Sequence, residues 1–221
     1  MPAKAQVRFA EGAPNLEAVI NGVVQELSGT YLTVNNATVA TSFVYGTFTP
    51  FVPIAPGTLT LNALDSNGNA LGPVKTNVAV ASGKSYTVVL AGNYPKYSAL
   101  VFEEPSSSTN ASESLYNAAP SRQSADFGRF TVSTHSNFKK LGSAHYGGVT
   151  TLSLGSEVAD FGGYVGTGSR PLLNGALAVS SVNPLDTNNA LPFNSAARLS
   201  LFLFDPKSGS SSGPVFGSLD L

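Results

Sequence analysis

The side chains of this chain that are able to do chemistry are few and scattered, so their spacing decides what they can do. The only histidines are His135 and His145. An imidazole binds a metal or moves a proton only beside partners at fixed geometry. A hairpin would bring the two together, with Asp126 and Asp160 as candidate third ligands. Lys139-Lys140 lies between them and would repel a cation, so two surface histidines and no metal site are expected.

Gly209-Ser210-Ser211-Ser212-Gly213 matches the letters of the G-x-S-x-G nucleophile elbow. That motif works where a strand turns sharply into a helix and exposes the serine beside an oxyanion hole. Pro214 follows at once and no helical pattern does, so the segment reads as a loop. Asp65-Ser66-Asn67-Gly68-Asn69 has the alternating oxygens and the glycine of a calcium loop. Such a loop ends on a bidentate acid, and Thr76 stands there instead. A hairpin turn built on Asn67-Gly68 explains the same residues. Glu103-Glu104 is a pair of carboxylates, but strand neighbours point to opposite faces and cannot flank one substrate bond. Their expected role is to solubilise a strand end.

Aromatic residues are plentiful, with 13 Phe and 8 Tyr but no Trp. Phe43, Tyr45, Phe48 and Phe51 cluster in one segment at mixed spacing and are the candidate binding aromatics. Core packing is the alternative use of these rings. Asn36-Ala37-Thr38 and Asn110-Ala111-Ser112 are glycosylation sequons, relevant only in a host that glycosylates. No catalytic residue, cofactor or metal is expected from any of these groups.

The composition narrows the setting. Cysteine is absent, which excludes disulfides, thiolate catalysis and Cys-ligated metals. Charged residues make up only 11% and the net charge is −1, so there is no basic field for nucleic acid or anionic lipid. No apolar run approaches a membrane span. The opening carries the small-x-small pattern Ala3-Lys4-Ala5, which reads equally as the end of an export signal or as chance in an Ala-rich chain.

The elements that must position these residues are strands. Thr58-Leu59-Thr60-Leu61-Asn62-Ala63 alternates polar and apolar, as a strand with one buried face does. Tyr86 to Ala91 and Arg198 to Phe204 are denser apolar runs, expected at sheet centres. Ala5 to Phe9 and Ser98 to Phe102 complete a first group. Short strands with 22 Gly and 14 Pro between them indicate an all-β fold: two tandem immunoglobulin-like antiparallel β-sandwich domains. The expected units are 5–104 and 114–221, joined by a Ser/Thr-rich linker over 105–113.

The two halves also align. Phe9 to Pro14 matches Leu115 to Pro120, and Ser85 to Leu90 matches Arg198 to Leu203. Leu100-Val101-Phe102 then meets Pro214-Val215-Phe216, with insertions expected around Thr167 to Asn174. A repeat this long makes each copy a domain with its own core.

Val7-Arg8-Phe9-Ala10-Glu11-Gly12-Ala13-Pro14-Asn15, followed by Ala18-Val19-Ile20-Asn21-Gly22, resembles the opening of the domain of unknown function 4397 family. Tyr45-Gly46-Thr47-Phe48 with Pro56-Gly57-Thr58-Leu59-Thr60-Leu61 resembles its central segment. Ser82 to Gly92 resembles its late strand, and Leu100 to Glu104 its close. The resemblance covers 5–105. Asn117-Ala118-Ala119-Pro120 fits a divergent second copy in 113–221, although no Asn-Gly pair or Pro-Gly-Thr segment follows it. The resemblance implies an exported bacterial β-sandwich domain, often in tandem on the cell envelope, and it implies no activity.

The functional expectation is therefore a non-catalytic secreted or cell-surface module used for structure or adhesion. Its partners would be cell-envelope proteins, glycans or copies of itself. A carbohydrate- or small-ligand-binding module is one alternative. A strand-exchanged fibre subunit is another, since few charges guard the sheet edges.

Overall fold

The computed structural model describes residues 3–27, 29–65, 67–69, 77–106, 112–131, 136–153, 160–164, 198–207 and 215–220. The described residues form strands and turns, with no helix among them. The chain divides into two compact units, Met1–Ser106 and Ser107–Leu221.

The first unit holds ten strands: β1 (Ala5–Glu11), β2 (Glu17–Ile20), β3 (Val23–Glu26), β4 (Thr30–Val34), β5 (Ala37–Phe43), β6 (Val52–Ile54), β7 (Gly57–Leu64), β8 (Asn77–Val80), β9 (Ser85–Asn93) and β10 (Lys96–Glu103). One sheet has the order β10-β9-β1-β6 and another β5-β4-β7-β8, while β2 and β3 form a separate hairpin. The inward residues of the two larger sheets share one apolar cluster. Ala5, Val7, Phe9, Tyr86 and Val88 come from the first sheet, and Leu32, Val34, Phe43, Leu59, Leu61, Val78 and Val80 from the second. The alternation in β7 works as its sequence predicts: Leu59, Leu61 and Ala63 are buried, while Thr58 and Thr60 are exposed.

A smaller cluster of Ala13, Leu16, Ala63, Leu90 and Tyr97 receives Ile20 and Leu27, which seats the base of the β2–β3 hairpin. The Tyr97 hydroxyl accepts the Glu17 amide at 2.9 Å and fixes the same base. Asn21 and Gly22 turn the hairpin with φ of 54° and 79°, the left-handed pair that a two-residue turn between twisted strands requires.

The second unit holds β11 (Ser112–Asn117), β12 (Ser124–Thr131), β13 (Ser136–His145), β14 (Val149–Ser153), β15 (Asp160–Tyr164), β16 (Arg198–Leu203) and β17 (Val215–Asp220). Its sheets have the orders β14-β11-β16-β17 and β13-β12-β15. Ser112 and Glu113, the last two residues of the Ser/Thr-rich stretch, lie in β11 and are buried; 107–111 lie outside the described residues.

Antiparallel pairing throughout is not what the chain adopts. In the first unit β1 runs parallel to β9, and in the second β11 runs parallel to β16. Each pair is far apart in sequence, so no tight turn forces antiparallel geometry and a long crossover is available.

The two parallel pairs share one register. Gln6 faces Ser85 and Glu11 faces Leu90 in the first unit; Ser112 faces Arg198 and Asn117 faces Leu203 in the second. The pairs Glu11 with Leu90 and Asn117 with Leu203 fall at positions aligned from sequence. The match of the last strands shifts by two residues, because Val88 pairs Val101 whereas Leu201 pairs Gly217.

The turns correspond as well. Gly46 donates its amide to the Glu11 carbonyl at 2.8 Å, and Gly147 donates to the Asn117 carbonyl at 2.8 Å. Gly12 donates to Leu90 and Ala118 to Leu203 in the same manner.

Candidate functional site

The most polar buried constellation of the first unit is built on β1. Val7 and Phe9 point into the apolar cluster, so Arg8 between them must leave on the opposite face. A buried guanidinium is stable only when its donors and its charge are both met. Thr87, the cross-strand neighbour of Arg8 on β9, accepts from Arg8 Nε at 2.7 Å. Glu104, just past β10, takes Arg8 Nη2 at 3.1 Å. Thr87 Oγ1 also donates to the same Glu104 oxygen, closing a triangle. The Arg8 Cζ lies 4.7 Å from the Phe51 ring centroid and 5.9 Å from that of Phe48, which places the cation against two aromatic faces.

Three residues along the same strand sits Glu11, whose side chain is wholly buried. Its Oε1 accepts the Ala13 amide at 2.8 Å, and Oε2 has no hydrogen-bond partner among the described residues. Burial pushes this carboxyl well above its ordinary range, with the Ala13 amide opposing only in part.

The candidate binding aromatics are separated by the fold. Phe43 is a core residue, Phe48 and Phe51 are half-buried against Arg8, and Tyr45 is half-buried in the turn that precedes them. Their mixed spacing follows from this, since the chain leaves β5 for a turn and an isolated bridge at Phe48 before β6 begins at Val52. Glu103 and Glu104 do diverge: Glu103 is exposed and pairs Lys84 at 2.6 Å. Glu104 does not solubilise the strand end, because it is buried as the counter-charge of Arg8.

The other sequence candidates are also accounted for. Asp65 Oδ1 accepts the amides of Asn67 and Asn69, each at 2.8 Å, and Oδ2 accepts the Asn69 side chain at 2.9 Å. These bonds hold its carboxyl below the usual range and commit its oxygens to the turn. Asp126 pairs Lys140 at 2.7 Å and accepts the Ser143 hydroxyl at 2.8 Å, so its carboxylate is held below its usual range. His145 ends β13, Asp160 begins β15, and His135 and the 209–213 serine stretch lie outside the described residues. Among the described residues no group of three or more His, Cys, Asp or Glu gathers around a common point.

Sequence reasoning passed over Arg8, Glu11 and Thr87. The available signal was a charge between the apolar strand neighbours Val7 and Phe9, with the Glu103-Glu104 pair at the close of the last strand to match it.

Arg8, the Glu11 turn and Glu104 fall within the segments that resemble a known family. A comparison with protein families matches residues 5–128 to the family described as Domain of unknown function (DUF4397). The chain belongs to this family. The DUF4397 match takes in all ten strands of the first unit and continues through β11 into β12. No curated protein matches the chain.

The DUF4397 region also carries an exposed apolar tip. Val19 and Val24 face each other across the β2–β3 hairpin at 53% and 50% exposure, and Val23 beside them is 58% exposed.

Proposed function

We propose that this DUF4397 protein is a non-catalytic, exported structural or adhesion module of two tandem immunoglobulin-like sandwich domains, the second a divergent copy of the first. The observation that carries this reading is what the two units share and what they do not. Strand order, register and turn bonds recur between the sheet that holds β1 and the sheet that holds β11, whereas Arg8, Thr87 and Glu11 are replaced by Ser114, Ser200 and Asn117 at the corresponding positions. The sheet geometry is kept while its polar groups change, so the two units share a scaffold and not a set of reactive side chains. The exposed valines of the β2–β3 hairpin offer a contact surface, since clustered apolar side chains on a surface mark interaction sites.

Beads coated with the purified protein and mixed with intact cells of the source organism test the reading. Retention after washing is expected, together with staining of unbroken cells by an antibody to the chain. Retention should fall when Val19→Thr and Val24→Thr are introduced together. An antigen confined to the cytosolic fraction would overturn the proposal.

A further inference from the structure

We propose that Glu11 is a proton-binding site of the first unit: a carboxylic acid that keeps its proton in the folded protein and whose ionisation loosens the end of β1. Asn117, at the corresponding position of the second unit, shows what the site requires. Its Oδ1 accepts the Ala119 amide at 3.2 Å, as Glu11 Oε1 accepts that of Ala13. Its Nδ2 donates to the carbonyls of Arg122 and Ala144, at 3.0 and 3.2 Å. The position thus holds an uncharged side chain that accepts once and presents a donor. A neutral carboxyl meets that description and a carboxylate does not, because its second oxygen has nothing to donate.

The surroundings favour the neutral form. Glu11 is wholly buried, and Oε2 has no hydrogen-bond partner among the described residues. Tyr97 on β10 interacts with Glu11, with Glu17 on β2 and with Tyr94, none of them a cation. Lys96, which opens β10, is exposed, and Arg8, three residues back along β1, is paired with Glu104. Burial, the dominant influence on Glu11, acts in the same direction.

The residue is also placed to transmit its state. Its backbone bonds the turn through Thr47 and Gly46, and that turn delivers Phe48 to Arg8. A charge at Glu11 would draw water toward this junction and toward the cluster that seats the hairpin.

The linkage has a definite sign. The folded pKa lies above the unfolded one, so the full contribution is present below about pH 4.3 and is lost as pH rises toward the folded pKa. The test compares melting of the full chain and Glu11→Gln between about pH 4 and pH 8. The first-unit transition of the native chain should fall over this range relative to the Gln variant, by about 4 °C or more. Exchange of the Ala13 and Gly46 amides, corrected for intrinsic pH dependence, should speed up in the native chain alone. Parallel melting curves for the two proteins would overturn the proposal. If the Gln variant fails to fold, carboxyl-carbon NMR of the native chain decides. A Glu11 midpoint near that of a free glutamate, about 4.3, overturns the proposal; a midpoint well above it sustains the proposal.

Discussion

Arg8 and Glu104 lie at opposite ends of the first unit in sequence and meet inside it, with Nη2 3.1 Å from Oε1 and both side chains buried. Neither charge is stable there alone. Glu104 reaches Arg8 because its amide bonds the Ser85 carbonyl at 2.8 Å, extending β10 one residue past its last pair and turning the side chain toward β1. The pair therefore ties the closing residue of the unit to its opening strand.

Removing one partner should cost much more than removing both. Glu104→Ala leaves a buried guanidinium and is expected to destabilise the first unit by about 3–5 kcal/mol. Arg8→Met combined with Glu104→Gln replaces the ions by neutral groups of similar size, and should recover most of that loss. Denaturant melts of Arg8→Met, Glu104→Gln and their double variant, alongside Glu104→Ala, check this. Additive losses would show that the pair acts as two independent groups.

Gly92 should not accept a side chain. It sits in β9 with φ of 100°, and an added Cβ would collide with the Lys96 carbonyl oxygen across the β9–β10 hairpin. That partner is backbone and cannot rotate away. Gly92→Ala is expected to cost about 3 kcal/mol or more. The same change at Gly83, which also has positive φ but open space around it, should cost less. Thermal melts of the two variants rank them directly.

The strands of this protein were more legible than its pairings. The β7 alternation and the dense apolar run of β9 state burial outright, because side-chain period and face are properties of the strand itself. The repeat register of β1 was readable from the turn that follows it, Ala13-Pro14 in the first unit and Ala119-Pro120 in the second. That of β9 was readable from its unbroken strand pattern, although Ala10 and Val89 stand where the second unit has Tyr116 and Phe202. The last strand was misplaced by two residues for a physical reason: such a shift preserves which face each side chain occupies, so the apolar pattern cannot oppose it. The Asn35-Asn36 turn between β4 and β5 was passed over as part of a sequon, although both residues adopt the left-handed conformation that asparagine tolerates. Arg8 was hidden by distance. Its partners Thr87 and Glu104 come from the far end of the unit, and only the parallel β1–β9 pairing brings them to it.

Asp65 is expected to act through its own turn and not through calcium. Its lowered pKa contributes stability above the unfolded carboxyl pKa of about 3.9, and that contribution disappears as pH falls through the folded value. Asp65→Ala should therefore melt below the native chain at neutral pH, with the gap closing in strong acid. Calcium or a chelator should leave both curves in place. A calcium-dependent rise in the native chain alone would show that the loop binds the ion.

In the second unit the strongest packing test is the Tyr116–Phe202 pair. The two rings stack with centroids 4.3 Å apart and planes 10° from parallel, and both side chains are wholly buried. Phe204, one residue past β16, lies beyond Phe202 with its centroid 6.3 Å away and its plane tilted by 32°. At the corresponding positions of the first unit stand Ala10 and Val89, which carry no rings. Deleting a buried ring removes its transfer free energy and leaves a cavity, so Phe202→Ala should cost about 3–5 kcal/mol. Tyr116→Ala should cost a similar amount, but the double variant should cost less than the sum by about 0.5–1.5 kcal/mol, the coupling of the stacked rings. Ala10→Gly is the companion control in the first unit, and should leave the second-unit transition unchanged. Following the two units by probes placed in each separates their transitions, which one global melt would merge. Zero coupling between Tyr116 and Phe202 would mean that the stacked geometry contributes nothing beyond the area each ring buries.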